Sequence, residues 1–192
     1  MKNNDVVITS AFRTAIGSFN GALSLKTGPE LGSAVIKKCV NDSSLKKNEI
    51  DMIYMGQVLT AGAGQNPARQ ATIFSGLSHK ITNITVNQVC GSGLASIALA
   101  YNSLKCGDAK IIVAGGQESM SNAPQYINIR KDKKINDDEM NSTMIIDGLW
   151  DVYNQYHMGV TAENVAKKFS IKREEQDIFA DTSQKKTIEA IK

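Results

Sequence analysis

The stretch Asn87–Ser96, NQVCGSGLAS, sets a single cysteine between a β-branched run and a glycine-rich start to an apolar segment. That order of types reads as strand, turn, helix, with Cys90 at the mouth of the helix. The first amides of a helix lack intrahelical partners and carry partial positive charge, so an anionic sulfur placed there is stabilised and nucleophilic. Gly91 and Gly93 weaken a helix unless the backbone must approach something closely or make a strained turn. Such a turn can also aim N–H groups at a developing oxyanion, as in a nucleophile elbow. A free cysteine is equally at home as a small buried hydrophobe, and spacing alone leaves both readings open.

The other reactive side chains say less. Cys39 and Cys106 fall within helical apolar patterns and read as structural. No Cys-x-x-Cys pair or Cys/His cluster with metal-ligand spacing occurs among the three cysteines and two histidines. His79 sits in the polar stretch SGLSHKITN and reads as a loop residue. His157, in YHMGVTAEN, precedes a helix that Thr161 is expected to cap, and its place in a loop-rich region allows contact with a ligand.

The elements around Cys90 follow a regular rhythm. DVVITS, IDMIYMGQV, NITVNQV and AKIIVAGG read as strands. Between them, TGPELGSAVIKKCV has Pro29 near its first helical position, and QNPARQATIFSGL has Asn66 as cap with Pro67 after it. Residues 91–105 read as a third helix, closed by Gly107. Alternating strands and helices predict an α/β fold: a mostly parallel mixed sheet covered by helices, with working residues beyond the carboxyl ends of its strands.

From Gln117 to about Val160 periodicity weakens and methionine, asparagine and charged residues intermix. This predicts a loop-rich excursion with a short helix near Met144–Trp150. A last helix begins near Ile171 and reaches Lys192 without a stop signal, which predicts a missing remainder. The organisation expected is an α/β core over residues 1–120 and a loop-rich, helical segment over 121–192.

Composition narrows the class. At 192 residues, 42% hydrophobic and 21% charged, the chain has the means for a globular core. A net charge of +3, with basic residues dispersed apart from RKDKK at 130–134, argues against nucleic-acid binding. No apolar run has the length of a membrane span, and no leader pattern opens the chain, so a cytoplasmic setting is expected.

Several stretches taken together resemble the thiolase family: VVITSAFRTAIGSFNGALS, GQNPARQA, VNQVCGSGL, VAGGQESMSNAP and YHMGVTAENVAKKF…REEQDIFA, in the family's order and across essentially the whole chain. VCGSGL, with YHMG before TAEN, is similar to the biosynthetic, acetoacetyl-CoA type. The resemblance implies a thiolase-like N-terminal half in which Cys90 accepts an acetyl group from acetyl-CoA. It implies that Leu149, His157 and Met158 line the pantetheine and acyl pocket. It further implies CoA thioesters as substrates, no cofactor and no metal, and a homo-oligomer (dimer or tetramer) with neither nucleic acid nor membrane as partner. QNPARQA and SMSNAP resemble segments near subunit contacts.

The family's second half carries an Asn-Glu-Ala-Phe motif, a Gly-His-Pro histidine that activates the nucleophile, and a second cysteine in a Cys-x-Gly-Gly-Gly turn. None occurs in these 192 residues. The chain therefore reads as an N-terminal half that holds the nucleophile without the base, exposing apolar surface that a second half would cover. The alternatives are a non-catalytic fragment that binds CoA or oligomerises, and a cysteine hydrolase or redox protein, which would need a histidine or second cysteine near the thiol.

Overall fold

A computed structural model describes residues 5–127 and 140–191. The basic run RKDKK and the terminal Lys192 lie outside them. Two compact units divide the chain, residues 1–148 and 149–192.

In the first unit, three short runs form one parallel sheet. β1 (Met52–Gly56) lies between β2 (Thr82–Val86) and β3 (Ile112–Gly116), in the order β2-β1-β3. As the central strand, β1 is buried almost throughout, which is why it reads as a continuous apolar run rather than an alternating one. Its side chains serve both faces. Ile53 and Met55 join the core formed with α1 (Gly28–Asp42) and α2 (Pro67–Phe74), which includes Ile36, Val40, Ala68 and Ala71. Tyr54 points the other way, its hydroxyl 3.0 Å from Ser103 Oγ on α3 (Ser92–Cys106).

The helix boundaries follow from local chemistry. Thr27 and Glu30 form a reciprocal capping box at α1. Asn66, at φ 41°, accepts the Arg69 N–H at the head of α2, and Gly107, at φ 82°, ends α3.

All three strands end level. Gly56 stands in register with both Val86 and Gly116, so Asn87, Gln57 and Gln117 follow one another across the carboxyl end of the sheet. The Gln117 side-chain amide donates to Gln57 Oε1 (2.9 Å) and to the Pro67 carbonyl (3.1 Å).

One expected strand is absent. DVVITS forms no ladder; Val7 and Ile8 are exposed, and the segment is held by Ser10 Oγ donating to the Cys39 carbonyl (3.0 Å) and by Lys38 over the Phe12 ring. A β-branched run becomes a strand only where a neighbour takes its backbone hydrogen bonds, and here neither sheet edge does so. The loop-rich segment contains a 3-10 turn (Met120–Asn122), a two-residue pairing of β4 (Gln125–Tyr126) with β5 (Asn141–Ser142), and a π-helical turn at Met144–Leu149.

The second unit begins with a small hairpin, β6 (Trp150–Asp151) against β7 (Tyr156–His157). It continues into α4 (Met158–Lys168) and α5 (Arg173–Ile191). The cap of α4 is His157 rather than Thr161, because the imidazole Nδ1 accepts the Gly159 N–H at 3.0 Å and the helix starts a turn earlier. No residue of α5 is buried; i,i+4 pairs Arg173–Asp177 (2.9 Å) and Asp181–Lys185 (2.6 Å) lie along it.

Candidate active site

Cys90 lies between the end of β2 and the start of α3, and it is exposed. The expected strand–turn–helix elbow is present. Its strain falls on Val89, at φ 48°, a left-handed conformation that a β-branched side chain rarely adopts. Gly91, at φ −84°, is relaxed and provides no side-chain cap to α3.

The backbone N–H and carbonyl groups of Gln88 and Val89 are all tied down. The Val89 N–H donates to Asn87 Oδ1 (2.9 Å). The Val89 carbonyl accepts from the Ser92 hydroxyl (2.6 Å) and the Ser92 N–H (3.0 Å). The Gln88 N–H donates to Ser92 Oγ (2.9 Å), and the Gly91 N–H to the Gln88 carbonyl (3.0 Å). The Gly91 and Ser92 amides are thus used inside the turn, and an oxyanion formed at Cys90 has to draw on other donors.

Small residues let α3 sit close on the sheet. Ser92, Ser96 and Ala100 form its buried stripe, and Ser96 Oγ donates toward the carbonyls of Gly93 and Gly115 (both 2.7 Å). Gly93 lies against Gly116, which answers why a glycine stands in the first turn. Gly56 faces backbone that cannot turn aside: a Cβ there would stand 2.5 Å from the Ser92 carbonyl carbon.

A half-buried carboxylate completes the surroundings of the strand ends. Glu118 accepts from the N–H groups of Val58 (2.8 Å) and Leu59 (3.3 Å). Burial pushes its pKa above the usual glutamate value, and these amides, with that of Ser119, oppose the shift. The Val58 carbonyl in turn lies 3.4 Å from Asn87 Nδ2.

The sequence reading did not single out Asn87, Ser92 or Glu118. Asn87 and Ser92 flank Cys90 within the motif itself, so a polar residue on each side of the turn was the available signal. Glu118 arrives through the sheet and leaves no local trace.

The other expected site residues belong to the second unit. Trp150 pairs with His157 in the hairpin, so Leu149, just before Trp150, and Met158, just after His157, come to the same end of it. Leu149, His157 and Met158 are thereby gathered. His79 is exposed in the turn before β2. Among the described residues, no three His, Cys, Asp or Glu side chains group so as to hold a metal ion, and no helix is long and apolar enough to cross a membrane. A cavity of 260 Å³ at the head of α1 is lined by Thr27, Pro29, Gln57, Leu59, Gln70 and Asn122 among others; Cys90 is not part of its wall.

An α/β fold that presents an exposed cysteine on a strained turn between a parallel strand and a helix is what the geometry defines. Residues 6–192 match the thiolase N-terminal domain, and the chain belongs to the thiolase family. It is 55% identical over 183 residues to an acetyl-CoA acetyltransferase of Cupriavidus necator, covering 95% of this chain and 47% of that protein. An acetyl-CoA acetyltransferase of Allochromatium vinosum is 50% identical over 186 residues (96% and 47%), and one of Pseudomonas aeruginosa 51% over 188 (97% and 48%). The chain spans about half the length of these curated relatives.

Proposed function

We propose that these residues form the nucleophile-bearing half of an acetyl-CoA C-acetyltransferase. The observation that carries this reading is the exposed Cys90 on its fixed elbow at the head of α3. The Cys90 sulfur attacks the thioester carbonyl of acetyl-CoA. A new S–C bond forms, the bond to the CoA sulfur breaks, and CoA leaves as its thiolate, giving acetyl-Cys90. A second acetyl-CoA then loses an α-proton to a base, and its carbanion attacks the acetyl carbonyl. Acetoacetyl-CoA is released and the Cys90 thiolate returns. Thiolysis of acetoacetyl-CoA is the same path reversed.

These residues supply the nucleophile of this cycle. The histidine that activates it, and the acid/base cysteine, are assigned to a polypeptide carrying the Gly-His-Pro and Cys-x-Gly-Gly-Gly motifs. Leu149, His157 and Met158 are assigned to the pantetheine and acyl group, and the assembly to a cytoplasmic homo-oligomer. The substrates are CoA thioesters, and thiol–thioester exchange needs no electron carrier or metal.

The test is intact-mass spectrometry after incubation with acetyl-CoA, beside a Cys90→Ser control. One adduct of about 42 Da, the mass of an acetyl replacing a proton, is expected in the first and absent from the control. A folded chain that takes up no acetyl group, alone or with the complementary half added, overturns the reading.

A further inference from the structure

We propose that Ser92 is the positioning residue of the elbow: its hydroxyl holds Val89 in the conformation that presents Cys90. The inference rests on the reading of Cys90 as the nucleophile. Ser92 is 4% exposed, and its Oγ makes two hydrogen bonds that bracket Val89, accepting from the Gln88 N–H (2.9 Å) and donating to the Val89 carbonyl (2.6 Å).

The two bonds need opposite polarities from one atom, which a hydroxyl supplies and a methyl group does not. They fall on either side of a β-branched residue at φ 48°, a conformation that persists only when its surroundings over-determine it. Asn87 adds a third tie, at the Val89 N–H. Ser92 is itself wedged in place: a Cβ on Gly56 would lie 2.8 Å from the Ser92 Cβ, so the hydroxyl is anchored to the end of β1 and not merely to the turn. The rigid sheet end thus determines where the sulfur stands. Ser92 acts through Val89.

A serine that only satisfied buried polar groups would lower stability when removed, whatever stood at position 89. A serine that imposes a left-handed Val89 becomes dispensable once that conformation is free of strain, as it is for glycine. Alkylation by iodoacetamide, mapped separately to Cys90 and Cys106, therefore decides the matter when combined with thermal melting of each variant. Ser92→Ala is expected to slow Cys90 by about fivefold or more, the scale of one lost hydrogen bond, with Cys106 unchanged within about twofold. Ser92→Thr, which keeps the hydroxyl, is expected to restore most of the rate. In a Val89→Gly background, the same Ser92→Ala change is expected to slow Cys90 by less than about twofold.

The inference is overturned if Ser92→Ala leaves Cys90 within about twofold of the unaltered chain, or slows it equally with glycine at position 89. If Ser92→Ala does not melt cooperatively, the Val89→Gly/Ser92→Ala pair is expected to do so, and its failure also overturns the inference. The underlying reading fails separately, by Cys90 of the unaltered chain reacting no faster than Cys106. The ratios between variants still decide the role of Ser92 in that event.

Discussion

A methyl group on Gly56 would meet the Ser92 carbonyl carbon at 2.5 Å and the Gly93 nitrogen at 2.7 Å, both backbone atoms that cannot turn aside. Gly56→Ala is therefore expected to push the head of α3 off the sheet and cost about 1–3 kcal/mol, read by urea denaturation. Unchanged stability would mean that α3 is not seated as described. Two carboxylates make opposite predictions with pH. Asp51 accepts the Lys110 N–H (2.7 Å) and the Ile111 N–H (3.0 Å), and these bonds hold its pKa below the usual aspartate value. The unfolded chain then binds more protons, so this contribution is present above the ordinary aspartate range and is lost as pH falls through the folded pKa. Asp51→Asn should flatten the acid side of a melting-temperature profile. Glu118, raised by burial, has the reverse sign: the folded chain holds its proton longer, and stability declines as pH rises through its folded pKa. Glu118→Gln should remove that decline. The turn that presents Cys90 could be read from the chain because its strand, turn and helix are neighbours in sequence. The partners of Asp51 and Glu118 are some sixty residues away in sequence, and no local pattern announces them.

Caps and turns were the legible part of the helices, since each is a short-range contract between adjacent residues. Asn66 shows how much one such residue carries. Its Oδ1 accepts from the Arg69 N–H (3.2 Å) and the Thr85 hydroxyl (2.9 Å), while its Nδ2 reaches the Asn83 carbonyl (3.1 Å), joining α2 to β2. Asn66→Ala is expected to cost about 1–2 kcal/mol in a thermal or urea melt, and Asn66→Asp less, since it keeps the accepting oxygen. His157, expected from the sequence to contact a ligand, is in the structure the cap of α4, its Nδ1 accepting the Gly159 N–H. His157→Asn should preserve the protection of the first α4 amides against hydrogen exchange, and His157→Ala should lose it. Equal exchange in both would remove the capping role. Thr161 misled because the TAEN pattern looks like a helix start, whereas a histidine cap has no strong sequence signature. The DVVITS run misled for a different reason: strand character is local, but a strand's partner is not.

Large apolar side chains stand open on both units. Leu94 is 74% exposed, and Ile97, Leu99 and Tyr101 are exposed on the same helix. Phe179 is 78% exposed on α5, where Ile178 and Ile188 are also open. On α3, Leu94, Ile97 and Tyr101 recur at helical spacing, the pattern of an apolar stripe that meets a neighbour. The chain is expected to bind a hydrophobic dye and to sediment faster as its concentration rises, and Leu94→Lys should weaken both effects. A concentration-independent monomer that ignores the dye would show that these side chains need no cover. The core around Ile53 was foreseeable from periodicity. What covers Leu94 was not, because an apolar helix face looks the same in sequence whether its neighbour lies in this chain or another.

Because α3 opens just after Cys90 and closes at Cys106, the helix carries one thiol at each end. Sixteen residues of helical rise separate them by about 24 Å, within reach of paired spin labels. With Cys39 replaced by alanine, a doubly labelled chain would give a dipolar signal at that distance. An acetyl group on Cys90 blocks one label and erases the signal. The length of a single helix thus becomes a gauge of the acetylation proposed for Cys90.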